Sequence, residues 1–249
     1  MDSGSIRLFV EGDLAAGVAL AATAGQAHHL GVVMRRAAGD LVRVFNGRDG
    51  EWVAAYRPGG RGRAALEVLR RLRGQEEEPD LWLAFAPLKR DATDLVVQKA
   101  TELGASRVLP VFTRRCVAQR VNLERLAAIA TEAAEQSERL TVPRIAEPLP
   151  LARLLADWPR ERPLLAAVER RAAAGVRPIA KAGLLVGPEG GYAPEEVELL
   201  LRHPFVETIS LGPRVLRAET ASIVGLALLQ AGSQADLAKG AEGETRAGE

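Results

Sequence analysis

From residue 81 onward, short apolar runs alternate with stretches of helical spacing, and this alternation limits the fold more than any other feature of the chain. The runs lie at residues 81–86, 108–112, 164–168, 184–186 and 206–211. Runs of this kind read as strands buried on both faces, and strands separated by helices pair in parallel, under helices on either side. Residues 91–103 have helical spacing and stop at Gly104. Asn122 can cap a helix through Gln136, with Leu123, Leu126, Ala127 and Ala130 on one face. Pro194, followed by Glu195 and Glu196, opens another helix with proline early and carboxylates in the first turn. Residues 220–230 form a last apolar helix, and the small, polar residues after them are expected to fray.

The first seventy-odd residues have a different texture. Residues 6–10 and 41–45 alternate in polarity, and Asn46-Gly47-Arg48-Asp49-Gly50 supplies a turn leading into 51–57. A further strand is expected at 65–72 and a short helix at 25–36. Several short strands with turn signals point to a small barrel. The polar stretch Gly74-Gln75-Glu76-Glu77-Glu78-Pro79 then reads as a linker. The expected division is a β-rich domain at 1–74, an α/β domain at 75–232 and a flexible tail at 233–249.

Composition narrows the function. A single cysteine, Cys116, excludes an internal disulfide, and with three histidines no metal site is expected. No segment reads as a signal peptide or membrane span, so the expected location is the cytoplasm. Residues 1–75 carry 11 basic against 7 acidic residues, so the basic excess lies in the β-rich part. An arginine-rich module of this kind can hold a phosphate backbone, although a solvated charged face reads the same way.

Two loops carry the chemistry. Val186-Gly187-Pro188-Glu189-Gly190-Gly191-Tyr192 follows one expected strand and precedes a helix. Leu211-Gly212-Pro213-Arg214-Val215-Leu216-Arg217-Ala218-Glu219-Thr220-Ala221 does the same after the next strand. Ligands of open α/β sheets bind outside the carboxyl ends of the strands, where both loops fall. The glycines let backbone approach a ligand closely. Neither loop has the Gly-Lys-Ser/Thr of a P-loop or the glycine spacing of a dinucleotide fold, which argues against phosphate-binding and dehydrogenase readings.

Taken together, the two loops resemble those of the RsmE family, uridine-N3 methyltransferases of 16S ribosomal RNA within the SPOUT class. Three further blocks match in order. They are His28-His29-Leu30 with Val33-Met34-Arg35 and Gly39-Asp40; Lys89-Arg90 with Gln98-Lys99-Ala100-Thr101-Glu102-Leu103-Gly104; and Glu135-Gln136-Ser137-Glu138-Arg139 with Val142-Pro143. The resemblance implies a PUA-like β-barrel followed by a parallel-sheet domain with a trefoil knot. It also implies a homodimer, S-adenosyl-L-methionine as cofactor, and 16S rRNA or the small ribosomal subunit as partner, with no DNA and no membrane. The residues it assigns to the cofactor are Gly187, Pro188, Glu189, Gly190, Gly191, Leu211, Gly212, Leu216, Thr220 and Ala221. Arg217 is the expected catalytic donor. Glu189 and Glu219 are candidate proton acceptors, but a structural, ion-pair role is the stronger expectation for Glu219. Arg7, His29, Arg35, Arg36, Lys89, Arg90 and Arg139 are expected on RNA. Two alternatives stay open: a SPOUT enzyme with another target atom, and a non-catalytic RNA-binding assembly factor.

Overall fold

A computed structural model describes residues 6–168 and 174–245. The chain divides into two compact units. One runs to Glu77 and takes in Ala134–Val142; the other comprises Glu78–Ala133 and the chain from Pro143 onward.

In the first unit, β1 (Arg7–Phe9), β2 (Ala19–Ala21), β3 (Leu41–Phe45), β4 (Glu51–Pro58) and β5 (Ala64–Arg73) form one sheet in the order β1-β3-β4-β5-β2. β1 runs parallel to β3 and the other pairs are antiparallel. The turn at residues 46–50 is held by the Asn46 side chain, whose Oδ1 accepts the N–H groups of Arg48 and Asp49 at 3.0 and 2.9 Å. Gly47 and Gly50 take positive φ there, at 80° and 81°. β2 has no sequence signature, because Ala-Leu-Ala lacks the β-branched residues that mark strands. Backbone pairing to β5 makes it.

The sheet buries Leu8, Val42, Val44, Tyr56, Leu66 and Val68 on one side. The expected helix at 25–36 is two shorter pieces. Helix α1 (Ala24–His28) is opened by a reciprocal capping box between Thr23 and Gln26 and runs into a π-helical turn, His29–Val33. Ala27 and Leu30 point inward from this pair and complete the core.

Arg7 sits in the same unit, buried with its partner Glu51. Its Nε donates to Glu51 Oε1 at 2.5 Å, and Nη1 donates to the carbonyls of Ala134 and Glu135, both at 2.8 Å. Nη2 donates to the carbonyl of Arg139 at 2.7 Å, and the guanidinium lies 4.4 Å from the Phe45 ring centroid. Phe45, Ala134 and Leu140 pack with Phe9 and Val142 around this clamp. Arg139 is also buried and donates to Thr141 Oγ1 at 2.9 Å. The RNA-binding roles expected of Arg7 and Arg139 are therefore replaced by structural ones, since neither guanidinium is presented to solvent. Removing Arg7 strands the carbonyls of Ala134, Glu135 and Arg139 and leaves Glu51 with Arg73 alone, whose Nε stands 3.1 Å from Oε2, so Arg7→Met is expected to destabilise the protein by about 1–3 kcal/mol in urea unfolding. A loss within about 0.5 kcal/mol, the range of a surface substitution, would contradict the clamp.

The second unit is a sheet in which every pair is parallel. Its strands are β6 (Asp80–Phe85), β7 (Ala105–Phe112), β8 (Arg144–Ile145), β9 (Leu149–Pro150), β10 (Leu164–Ala167), β11 (Ala174–Gly175), β12 (Lys181–Val186) and β13 (Val206–Ser210). Their order is β11-β13-β10-β12-β6-β7-β8, with β9 beside β7. Helices α2 (Arg90–Glu102), α3 (Leu123–Gln136), α4 (Leu151–Asp157), α5 (Pro194–Leu201) and α6 (Ala218–Thr245) connect and cover it. Asn122 Oδ1 accepts the Arg125 N–H at 3.0 Å and caps α3, as its position predicts. On one face Leu151, Leu154, Trp158 and Leu200 pack against Ala84, Leu164 and Leu185. On the other, α6 packs against α2, β6 and β12. A Cβ on Gly225 would stand 2.6 Å from Leu184 Cδ2, so glycine lets α6 approach the sheet closely. The tail expected from residue 233 is instead helical as far as Thr245, continuing the helix that begins at Ala218. Residues 246–249 lie outside the described residues.

At the amino-terminal ends of the strands, Asp80 gathers the neighbouring chain. Its Oδ1 accepts from Trp82 Nε1 at 2.8 Å and Ser106 Oγ at 2.7 Å, and its Oδ2 pairs with Arg162. Arg162 lies 3.9 Å from the Trp82 ring centroid. Burial pushes the Asp80 carboxyl up, but hydrogen bonds from Ser106, Arg162 and Trp82 outweigh it and hold the group below its usual range. A carboxyl depressed in the folded state contributes stability above its unfolded pKa and loses it as pH falls through the folded value. Asp80→Asn is expected to lower Tm at neutral pH, with wild type and variant converging below about pH 4. An equal Tm gap at pH 7 and pH 3 would refute the network.

Candidate functional site

Parallel pairing puts the carboxyl ends of β13, β10, β12, β6 and β7 on one edge of the second unit, and a cleft of 1020 Å³ opens there. Each of the five strands leads into its lining. Lys89 follows β6, Arg115 follows β7, Val168 follows β10, residues 187–192 follow β12 and residues 211–217 follow β13.

The loop after β12 is shaped by close contacts. A Cβ on Gly187 would lie 2.9 Å from the Tyr192 ring, so the ring folds directly over the glycine backbone. Gly191 N–H donates to the Pro188 carbonyl at 2.8 Å and closes a tight turn, with Gly191 at φ 65°. Glu196, in the first turn of α5, is buried and accepts twice, from Ala193 N at 2.9 Å and Arg114 N at 2.8 Å. Its carboxylate thereby ties the loop after β12 to the one after β7. Arg115 adds a second tie, donating through Nη1 to the Gly190 carbonyl at 2.9 Å. Burial, with the nearby Glu196 charge, pushes the Tyr192 phenol well up, so it stays neutral and protonated.

In the loop after β13, Gly212 takes φ 118° and its N–H reaches Ser210 Oγ at 3.4 Å. The Ala221 N–H then donates to the Arg217 carbonyl at 2.8 Å as α6 begins. Arg214, Val215 and Arg217 are exposed at the cleft, while Ala221 and half-buried Leu216 form part of its wall.

Comparison with known proteins gives this geometry a family. Residues 75–230 match the model of an RNA methyltransferase domain, and residues 22–69 match an RNA methyltransferase PUA domain. The ribosomal RNA small subunit methyltransferase E of Rickettsia conorii is 34% identical over 206 residues, covering 80% of this chain and 84% of that protein. The chain belongs to this methyltransferase family. Its Bacillus subtilis member is 31% identical over 226 residues, covering 83% and 88% of the two chains. Among solved structures, a Legionella pneumophila methyltransferase in complex with SAM superposes with a TM-score of 0.83 at 29% identity, covering 92% of this chain and 98% of that one. The small subunit methyltransferase E of Neisseria gonorrhoeae, bound to S-adenosyl methionine, gives 0.82 at 26% identity over 91% and 97%.

Of the residues this methyltransferase was expected to use on its cofactor, Gly187, Pro188, Glu189, Gly190, Gly191, Leu211, Gly212, Leu216 and Ala221 line the cleft together with Arg217. Thr220 is exposed and Glu219 half-buried, and neither is among the lining residues. Glu219 makes no ion pair among the described residues, and its Oε2 is buried without a hydrogen-bond partner, so the expected pairing role is not seen. Of the residues expected on RNA, Lys89 lines the cleft and Arg90 is exposed at the start of α2. His29 and Arg35 are exposed in the first unit, and Arg36 lies 4.0 Å from Asp40. Sequence reasoning missed Arg115, Arg214 and the double acceptor Glu196. The strand-end rule that selected the two glycine loops applies equally to the loop after β7 and would have found Arg115.

Glu196→Ala strands the buried Ala193 N–H and frees the half-buried Arg114 N–H, so it is expected to lower stability by about 1–3 kcal/mol and speed amide exchange at Ala193 and Arg114. Unchanged exchange at both amides would contradict the tie.

Proposed function

We propose that this chain transfers a methyl group from S-adenosylmethionine to N3 of a uridine in 16S ribosomal RNA. The observation that carries the reading is the cleft built from two glycine loops at parallel strand ends, in a chain of this methyltransferase family. Its lining fits the cofactor. Glycines without a Cβ allow backbone contact with an adenosine, and Val168, Val186, Ile209, Leu211, Leu216 and Ala221 offer an apolar wall. Gly187, Gly191, Leu211, Leu216 and Ala221 would hold it. The cofactor supplies a methyl group already activated on a sulfonium.

The chain supplies alignment and charge. Holding two reactants in line is worth on the order of 7–11 kcal/mol in well-oriented cases. N3 loses its proton as it attacks, with Glu189 in the cleft lining as the acceptor, and negative charge spreads onto the uracil carbonyl oxygens. Arg217, exposed at the cleft and without an ion-pair partner among the described residues, is the donor for that charge. Arginine stays protonated and cannot be the base. N3 lies on the Watson–Crick edge, so the target base must be unpaired or flipped into the cleft.

A trefoil knot, a homodimer and a cytoplasmic location complete the reading. Membership of this methyltransferase family supports the first. For the chemistry, Arg217→Ala is expected to bind S-adenosylmethionine within about threefold of wild type while single-turnover methylation of small-subunit RNA falls by about 100- to 1000-fold. Single-turnover rates near wild type would remove Arg217 from the mechanism.

A further inference from the structure

Among the described residues, four exposed cations line the cleft, Lys89, Arg115, Arg214 and Arg217, against one carboxylate, Glu189. S-adenosylmethionine does not call for such a rim. Its sulfonium and ammonium outweigh its carboxylate, and a ring of like charge opposes it. A polyanion entering from outside does call for it. Lys89 and Arg115 follow the adjacent strands β6 and β7, while Arg214 and Arg217 follow β13, beyond β12 and β10. The cations thus form two lips on opposite sides of the cofactor loop.

Arg115 is the best-anchored of the four. Its Nη1 donates to the Gly190 carbonyl at 2.9 Å. The residue before it is fixed separately, by its N–H on buried Glu196 at 2.8 Å and its guanidinium 3.2 Å from Glu195. The side chain also packs along the loop, since a Cβ at Gly190 would meet Arg115 Cβ and Cδ in ordinary contact at 3.5 and 3.6 Å. A guanidinium has five N–H donors in a fixed fork, and Gly190 takes one. Among the described residues no carboxylate pairs with the rest. The side chain is held in place yet open on its outer edge, which is how a fork that grips phosphate is presented.

Resting on the methyltransferase reading, we propose that Arg115 binds a backbone phosphate beside the target nucleotide, with Lys89 on the same lip. Because the same guanidinium holds Gly190, the phosphate seat is set relative to the cofactor loop, and a nucleotide anchored there has its base directed at the cleft.

The test uses the full chain, wild type and the variants Arg115→Gln and Arg115→Lys, with a small-subunit rRNA transcript titrated across a range of KCl concentrations. Arg115→Gln is expected to weaken RNA binding about 5- to 10-fold near physiological salt and reduce the salt slope by about 0.7–0.9, one phosphate contact. Arg115→Lys, which keeps the point charge, is expected to retain the wild-type slope. Calorimetry without RNA is expected to show a smaller loss of affinity for S-adenosylmethionine than of RNA affinity in Arg115→Gln, since only the tie to Gly190 is lost there and no phosphate contact is involved. An unchanged slope in Arg115→Gln overturns the proposal. So does a loss of cofactor affinity as large as the loss of RNA affinity, which would assign the fork to the cofactor. Failure of the methyltransferase reading shows separately, as wild-type protein that binds no S-adenosylmethionine.

Discussion

The all-parallel pairing of the second unit is the constraint from which the site follows. In a parallel sheet every strand ends on the same edge, so the loops after β6, β7, β10, β12 and β13 converge although they are far apart in sequence. An antiparallel sheet of the same strands would send half of those loops to the opposite edge. Convergence brings together two glycine-rich backbones, an apolar wall and four cations, and leaves the amino-terminal edge for structural work by Asp80, Trp82, Ser106 and Arg162. One edge is open and charged. The other is closed by hydrogen bonds.

Arginine does opposite jobs in this chain, and burial separates them. Arg7, Arg139 and Arg162 are buried, and each is engaged with protein acceptors. Arg115, Arg214 and Arg217 are exposed at the cleft, and among the described residues Arg115 alone of the three donates to a protein acceptor, the Gly190 carbonyl. A buried guanidinium stabilises only when its fork is filled and its partner charge is present, which Arg7 achieves with Glu51 and three carbonyls. A guanidinium kept for a ligand must hold donors in reserve. Composition registers all of these residues as the same basic excess.

That difference explains what could be read in advance. The strands at 41–45 and 108–112, the caps at Asn122 and Pro194 and the two glycine loops are local signals, carried by residues next to one another in sequence, and they reappear at β3, β7, α3, α5 and the cleft. The roles of Arg7 and Arg139 are not local. Arg7 meets carbonyls more than 120 residues away, through a segment, Ala134–Val142, that groups with the first unit. Nothing in the periodicity of residues 134–142 announces that return. The short strand β2 and helix α4 were likewise missed, the first made by pairing alone and the second only seven residues long. Arg115 lay within reach of the strand-end rule but carried no glycine signature to draw attention to it.

Chemically, methyl transfer asks two things of the chain, alignment of an unpaired base with an activated methyl group and a fixed cation where charge develops on the uracil. Both depend on the base being presented by its Watson–Crick edge. The most direct measurement is therefore nucleoside analysis of small-subunit RNA after incubation with the purified protein and S-adenosylmethionine. N3-methyluridine is the expected product. A ribose 2′-O-methyl product, or RNA left unmodified by protein that binds the cofactor, would contradict it.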